Sequence, residues 1–261
     1  MELAGKVAVV SGSTTGIGLG ISHHLAAKGC SVVITGLGTL DLIDSILKDF
    51  RGKYSGRYEF VEGDLRNEDC VTSLCEKVLQ LFPDGVDILI NNAGIQHVCN
   101  VEDYPVQKWN DMVDISLTAP FILMRQFIPK MKAKCWGRII SISSQMGHVS
   151  APGRAPYSAV KSGIIGLTKG VALELATHGV TVNAICPSFA DAPILHSFVK
   201  AEAEEKNISY EDVKAQYASK VPTGQLITID QISEMVLYLC SPAACNVTGT
   251  SLLIDGGFTA R

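Results

Sequence analysis

The sequence predicts an α/β fold in which a doubly wound parallel sheet carries helices on both faces. Two observations carry that prediction. Short β-branched runs alternate with longer helical stretches along the chain, and the runs are continuously apolar, as in Val7-Ala8-Val9-Val10 and Ile88-Leu89-Ile90. Strands covered by helices on both sides read as unbroken apolar runs, whereas strands with one wet face alternate. Val7 to Ser11 reads as the first strand, Gly18 to Lys28 as the first helix, and Ser31 to Thr35 as the second strand. The rhythm repeats at 58–61, 87–91, 137–143 and 181–186, and 252–255 closes it. Its one break is Pro187 to Pro222, rich in Lys, Glu and Ala, which reads as one or two exposed helices. An insertion after a strand's carboxyl end is where a lid over a ligand sits in an open parallel sheet. With no repeat, low-complexity tract or linker, residues 1–261 read as one domain carrying a lid at about 187–222.

Composition narrows the function classes. With 47% hydrophobic and 18% charged residues the chain supports a large core and is not of the disordered class. The net charge of -4 and the lack of a Lys- or Arg-rich stretch argue against nucleic acid and anionic membrane as partners. The start, Met1-Glu2-Leu3-Ala4-Gly5-Lys6, runs straight into the first strand without the charged and apolar regions of a signal peptide. No apolar run approaches the roughly 18 residues of a membrane span. The 8 cysteines include no Cys-x-x-Cys pair, so they read as free thiols in a reducing compartment, and the expected location is cytoplasmic. His23 and His24 are adjacent on a helix and cannot share a face, so no metal site is expected.

Gly12-Ser13-Thr14-Thr15-Gly16-Ile17-Gly18 follows the first strand and opens the first helix. Glycines let the backbone turn sharply and approach a ligand, and the helix start offers free amides to a pyrophosphate. The order strand, glycine turn, helix fits a dinucleotide cofactor better than a purely structural turn. Further along, Tyr157 and Lys161 are four residues apart, which on a helix places them on one face. A lysine beside a phenol favours the phenolate and is expected to lower its pKa, so that Tyr157 exchanges a proton with an alcohol or carbonyl oxygen. Ser144, at the end of the preceding strand, can hydrogen-bond the same oxygen.

These motifs, with Asn91-Asn92-Ala93-Gly94 and the closing Asp255-Gly256-Gly257, resemble the short-chain dehydrogenase/reductase family over nearly the whole chain. The resemblance implies a single Rossmann-type domain, a nicotinamide cofactor and a homotetramer. It implies cofactor contacts from Gly12, Thr14, Thr15, Gly16, Ile17, Gly18, Leu37, Asp64, Leu65, Asn91, Ala93, Gly94 and Pro187, with Asp64 near the adenine amino group. It makes Ser144, Tyr157 and Lys161 the catalytic set, with Lys161 also reaching the cofactor ribose. Ser116 stands where the family carries a relay asparagine, Ser188 where it has glycine, and Ala192 where a threonine touches the nicotinamide. NAD is the expected cofactor, because neither Thr15 nor Gly36-Leu37-Gly38-Thr39-Leu40-Asp41 supplies the cation that an adenosine phosphate needs.

Within the family, several segments are most similar to the bacterial D-3-hydroxybutyrate dehydrogenases, among them Ser11 to Ile21, Asn91 to Val98 and Asp255 to Arg261. Their small substrate carries a carboxylate. Gln96 and Ser144 are retained as pocket donors, and Arg154 stands where a lysine is expected and can clamp a carboxylate. Met146, Phe189 and Phe198 replace a histidine, a tryptophan and a glutamine, which makes the expected pocket more apolar. Three readings stay open: an enzyme for (R)-3-hydroxybutyrate and acetoacetate, an enzyme for a larger and less polar alcohol or ketone, and a cofactor-binding protein without activity.

Overall fold

The computed structural model describes residues 3–260. Met1, Glu2 and Arg261, which end two of the segments quoted above, lie outside the described residues. Seven strands form one parallel sheet: β1 (Val7–Ser11), β2 (Ser31–Gly36), β3 (Tyr58–Glu62), β4 (Ile88–Asn91), β5 (Gly137–Ile142), β6 (Val180–Pro187) and β7 (Ser251–Ile254). Their order across the sheet is β3-β2-β1-β4-β5-β6-β7. The chain winds outward from β1 to β3, then returns to β4 on the other side of β1. This reversal opens a crevice beyond the carboxyl ends of β1 and β4, where ligands bind in such sheets.

The helices are α1 (Gly16–Ala27), α2 (Leu40–Lys53), α3 (Glu68–Leu81), α4 (Val106–Val113), α5 (Ala119–Ala133), α6 (Ala155–Leu175), α7 (Pro193–Lys206), α8 (Tyr210–Ser219) and α9 (Ile229–Cys240). Successive strand residues point to opposite faces, so each strand feeds two cores. Ala8 and Val10 pack with Ile21 and Leu25 of α1, Phe50 of α2 and Ile232 of α9. Val9 joins Leu74 and Val78 of α3, Phe127 of α5 and Leu175 of α6. Each such buried aliphatic or aromatic side chain contributes about 1.5–3 kcal/mol. The unbroken apolar strands of the sequence are therefore explained by two helix layers.

Three local features differ from the sequence reading or extend it. Helix α1 begins at Gly16 rather than Gly18, because the turn ends in left-handed backbone at Gly16 (φ 57°) and the helix starts there. A π-helical turn, Asp114–Thr118, joins α4 to α5 and carries Ser116; such turns interrupt the regular ladder and cluster at functional sites. Residues 187–222 hold two helices, α7 and α8, around their own small core of Leu195, Val199, Val213 and Tyr217. Asp191 ties them to the end of β6: it binds His196 Nε2 of α7 at 2.6 Å and Lys214 Nζ of α8 at 3.1 Å.

Candidate active site

A cavity of about 650 Å³ lies at the carboxyl ends of the strands, within the size range of small-molecule and cofactor sites. Gly12, Thr14, Thr15, Gly16 and Ile17 form one wall. Gly12 has φ 63°, and a Cβ there would come within 2.9 Å of the Ala93 Cα, so glycine is required both by conformation and by the approach of β4. Ser11 Oγ accepts from the backbone N–H of Asn92 at 2.9 Å and of Ala93 at 3.0 Å. Asn92 Nδ2 donates back to the carbonyls of Ser11 and Gly12. These bonds lock β1 to β4 at the mouth of the crevice.

The start of α1 differs from that of its neighbour α3. Asn67 caps α3 by accepting from Cys70 N, whereas Thr15 gives α1 no side-chain cap. The first-turn amides of α1 thus face the cavity without an internal acceptor, which is the arrangement that receives a phosphate. Thr14 Oγ1 donates to the Leu37 carbonyl at 3.1 Å and ties the loop to the end of β2. Leu37, Asp64 and Leu65 continue the wall. The residues present therefore fit a dinucleotide, with its pyrophosphate at α1 and its adenosine near Leu37 and Asp64. Arg66 also reaches this end, a cation that the reading of the second strand did not find. It is committed to Asp64, with Nε 2.9 Å from Oδ1, and this hydrogen bond holds the Asp64 carboxyl below its ordinary pKa.

At the other end, β5 delivers Ser144, and α6 delivers Tyr157 and Lys161. Ser143 Oγ donates to the Lys161 carbonyl at 2.8 Å and fixes α6 against the strand end. The Ser144 hydroxyl donates to the Tyr157 phenol oxygen. Lys161 Nζ donates to the Ile142 carbonyl at 2.9 Å and stands 5.6 Å from the Tyr157 ring centroid. One expectation is corrected here. Tyr157 has its pKa raised by burial, and the groups that oppose the rise are the Ser144 hydroxyl and the charge of Arg154, not Lys161. Burial acts on Lys161 as well and brings its ammonium down to about 8. A buried lysine whose own charge is penalised does little to hold a neighbouring phenolate.

Arg154 precedes α6 by one residue and lies three residues before Tyr157, on the same face. Its guanidinium carbon lies 5.2 Å from the ring centroid of Phe198 on α7. Its Nη1 is buried without a hydrogen-bond partner. Burial lowers its pKa, but a guanidinium stays charged at any physiological pH. Phe198 is thus a platform for the cation rather than simply a lost polar contact. Gln96, Met146, Pro187 and Phe189 line the same cavity. Phe189 meets Tyr217 edge-on at 5.3 Å and Phe258 at 5.9 Å. Phe258, near the end of the chain, thereby packs against the cavity wall of its own chain.

Residues 6–203 match the short chain dehydrogenase family model. The chain belongs to the short chain dehydrogenase family. It is 40% identical over 257 residues to a D-beta-hydroxybutyrate dehydrogenase of Rhizobium meliloti, covering 98% of this chain and 99% of that one. It is 39% identical over 264 residues to a D-beta-hydroxybutyrate dehydrogenase of Cupriavidus necator, covering 99% and 100%. Among solved structures, a Beutenbergia cavernae chain described as an NAD(P)-dependent gluconate 5-dehydrogenase with NADP bound superposes with a TM-score of 0.89 at 30% identity, covering 100% and 99%. The protein is therefore an oxidoreductase enzyme of the Rossmann fold using a nicotinamide cofactor.

In this dehydrogenase some expected residues stand back from the cavity. Gly18 packs the start of α1 against Gly12 and Asn92. Asn91 is buried and donates to Ser141 Oγ at 3.5 Å, so its neighbour Asn92 does the positioning. Ser116 is buried and its Oγ has no hydrogen-bond partner. Ser116 Oγ and Lys161 Nζ lie 3.8 and 3.6 Å from where a Cβ on Gly94 would stand, so both groups border that glycine. Sequence reasoning missed Arg66 and Tyr217, both of which line the cavity. Their one signal was position, since Arg66 follows Asp64 closely and Tyr217 lies in the 187–222 segment. Among the described residues no group of three His, Cys, Asp or Glu could hold a metal ion, and no helix is long and apolar enough to cross a membrane.

Proposed function

We propose that this dehydrogenase interconverts (R)-3-hydroxybutyrate and acetoacetate with NAD. One observation carries the substrate assignment: Arg154 lines the cavity with Tyr157, and its guanidinium holds a buried Nη1 without a hydrogen-bond partner. A buried donor without an acceptor costs about 1–3 kcal/mol until a ligand fills it. A carboxylate one methylene away from the reacting carbon would supply that partner, and the likeness to D-beta-hydroxybutyrate dehydrogenases supports the same acid. Met146 and Phe189 favour the second reading, a larger and less polar ketone. A panel of (R)- and (S)-3-hydroxybutyrate, longer 3-hydroxy acids and neutral secondary alcohols separates the two. Turnover of a bulky neutral alcohol with 3-hydroxybutyrate inert would overturn the acid assignment.

In the direction of oxidation, the Tyr157 phenolate takes the hydroxyl proton at its Oη. Ser144 Oγ donates a hydrogen bond to the same substrate oxygen, and Arg154 and Gln96 hold the carboxylate. Bound NAD supplies the acceptor for the hydride that leaves the carbinol carbon. Lys161 contributes a buried ammonium toward the ribose. Ser116 borders it across Gly94 and takes the relay position with a shorter side chain than asparagine. The α7–α8 segment serves as the lid, so that residues 1–261 act as one catalytic domain with a lid at about 187–222. The reading extends to a cytoplasmic homotetramer, supported by the exposure of Phe121 and Leu173 on the faces of α5 and α6; light scattering of the purified protein checks the assembly.

Oxidation requires the phenolate and reduction the phenol. Because burial raises the Tyr157 pKa above that of a free phenol, kcat/KM for oxidation should climb with pH through and beyond about pH 9, while that for reduction should stay flat over this range and fall only at higher pH. Paired initial-rate profiles in the two directions check the sign.

NAD should be preferred over NADP. Leu37, half exposed at the adenosine end, supplies no charge, and Arg66 is neutralised by Asp64. Leu37→Arg should narrow the preference by providing a free phosphate partner. Rates measured with both cofactors at matched concentration test this, and a clear NADP advantage in the wild type would remove the assignment.

A further inference from the structure

We propose that Tyr217 makes this enzyme selective for free acids over their esters and thioesters, by closing the cavity behind the Arg154 guanidinium. The inference rests on the reading of Arg154 as the carboxylate anchor and deepens it.

That guanidinium shares its cavity with three aromatic rings. Phe198 of α7 lies under it, and Tyr217 of α8 meets Phe189 edge-on at 5.3 Å. All three rings line the cavity with Arg154. The Tyr217 ring is held from several sides. It is 9% exposed and packs with Leu195, Val199 and Val213. Its hydroxyl donates to the Glu202 carboxylate on α7, which Lys206 also binds. Lys220 Nζ sits 4.1 Å above its ring centroid. Tyr217 and Arg154 are also electrostatic neighbours, each affecting the other's ionisation.

A carboxylate ends at its two oxygens, and both can lie on one guanidinium. An ester or thioester carries a further group on the same carbon. That group has to continue past Arg154, where the rings of Phe189, Phe198 and Tyr217 stand. The uncharged acyl derivative also forgoes the charge-assisted contact. The two penalties are separable by mutation. Arg154 sets the first and the Tyr217 ring the second, so opening the wall should admit the ester without removing the site for the acid.

The test compares acetoacetate, ethyl acetoacetate and the N-acetylcysteamine thioester of acetoacetate. It uses wild type, Tyr217→Leu, Tyr217→Ala and Tyr217→Phe, with NADH and with thermal melting to verify folding. Leu keeps much of the apolar volume that the small core needs, so it is the primary variant. Wild type should favour the acid. Tyr217→Leu and Tyr217→Ala should raise the ester-to-acid ratio of kcat/KM about tenfold or more. Tyr217→Phe should stay selective, because the ring and not the hydroxyl forms the wall. Folded Leu and Ala variants with an unchanged ratio would overturn the proposal, as would a wild type that reduces the ethyl ester as well as the acid. Calorimetric titration of the same compounds reads the preference without turnover. If none of them is reduced, the substrate assignment fails, and the ratio of dissociation constants in wild type and Tyr217→Leu still decides the role of Tyr217.

Discussion

Tyr157→Phe is expected to reduce turnover by about 10²- to 10⁴-fold, the range by which a positioned acid or base accelerates proton transfer. The variant keeps the ring, and with it the packing of α6 against the end of β5. It loses only the oxygen to which the Ser144 hydroxyl donates. Cofactor affinity should change little, because the phosphate cradle lies at the start of α1, on a different wall of the cavity. Titration of NAD into the variant, followed by single-turnover kinetics, separates the two effects. Retention of more than a few per cent of activity would move the acid–base role to another group. Lys161→Ala should instead act mainly on cofactor binding, since burial leaves its ammonium with little influence on the phenol.

Arg154→Ala is the second large effect. Losing a hydrogen bond to a charged group costs roughly 1.5–3 kcal/mol, which is about tenfold to a hundredfold in affinity. The Michaelis constant for 3-hydroxybutyrate should rise by that factor, while a neutral secondary alcohol should be almost unaffected. The variant should also move the oxidation profile to higher pH, because the guanidinium charge is one of the influences that favour the Tyr157 phenolate. Arg154→Lys keeps the charge but not the planar fork, so it should recover the pH profile better than the affinity. A simple loss of stability would produce neither the split between acid and neutral alcohol nor the alkaline shift.

The parts of the molecule legible in the sequence are those fixed by short-range spacing. The two-sided burial of the strands follows from unbroken runs such as Val7 to Val10, because each residue of a covered strand must be apolar. The phosphate loop is legible because its glycines answer a local demand of the backbone at Gly12 and Gly16. Tyr157 and Lys161 share a face because four residues make about one helical turn. The parts that stayed hidden depend on what lies opposite. Asn92, not Asn91, positions the crevice, a difference decided by which side chain faces β1 across the sheet. Phe198 read as a lost polar contact until the fold placed its ring beneath Arg154. Tyr217 carried no signal beyond its place in the 187–222 segment, because α8 reaches the cavity only through its packing on α7. The direction of the Tyr157 shift was also beyond the sequence, since the i, i+4 spacing shows a lysine nearby but not the burial that acts on both groups. Periodicity fixes which residues share a strand, a turn or a helix face. The charge state and selectivity of the site depend on desolvation and on contacts between distant segments, and these exist only once the chain has folded.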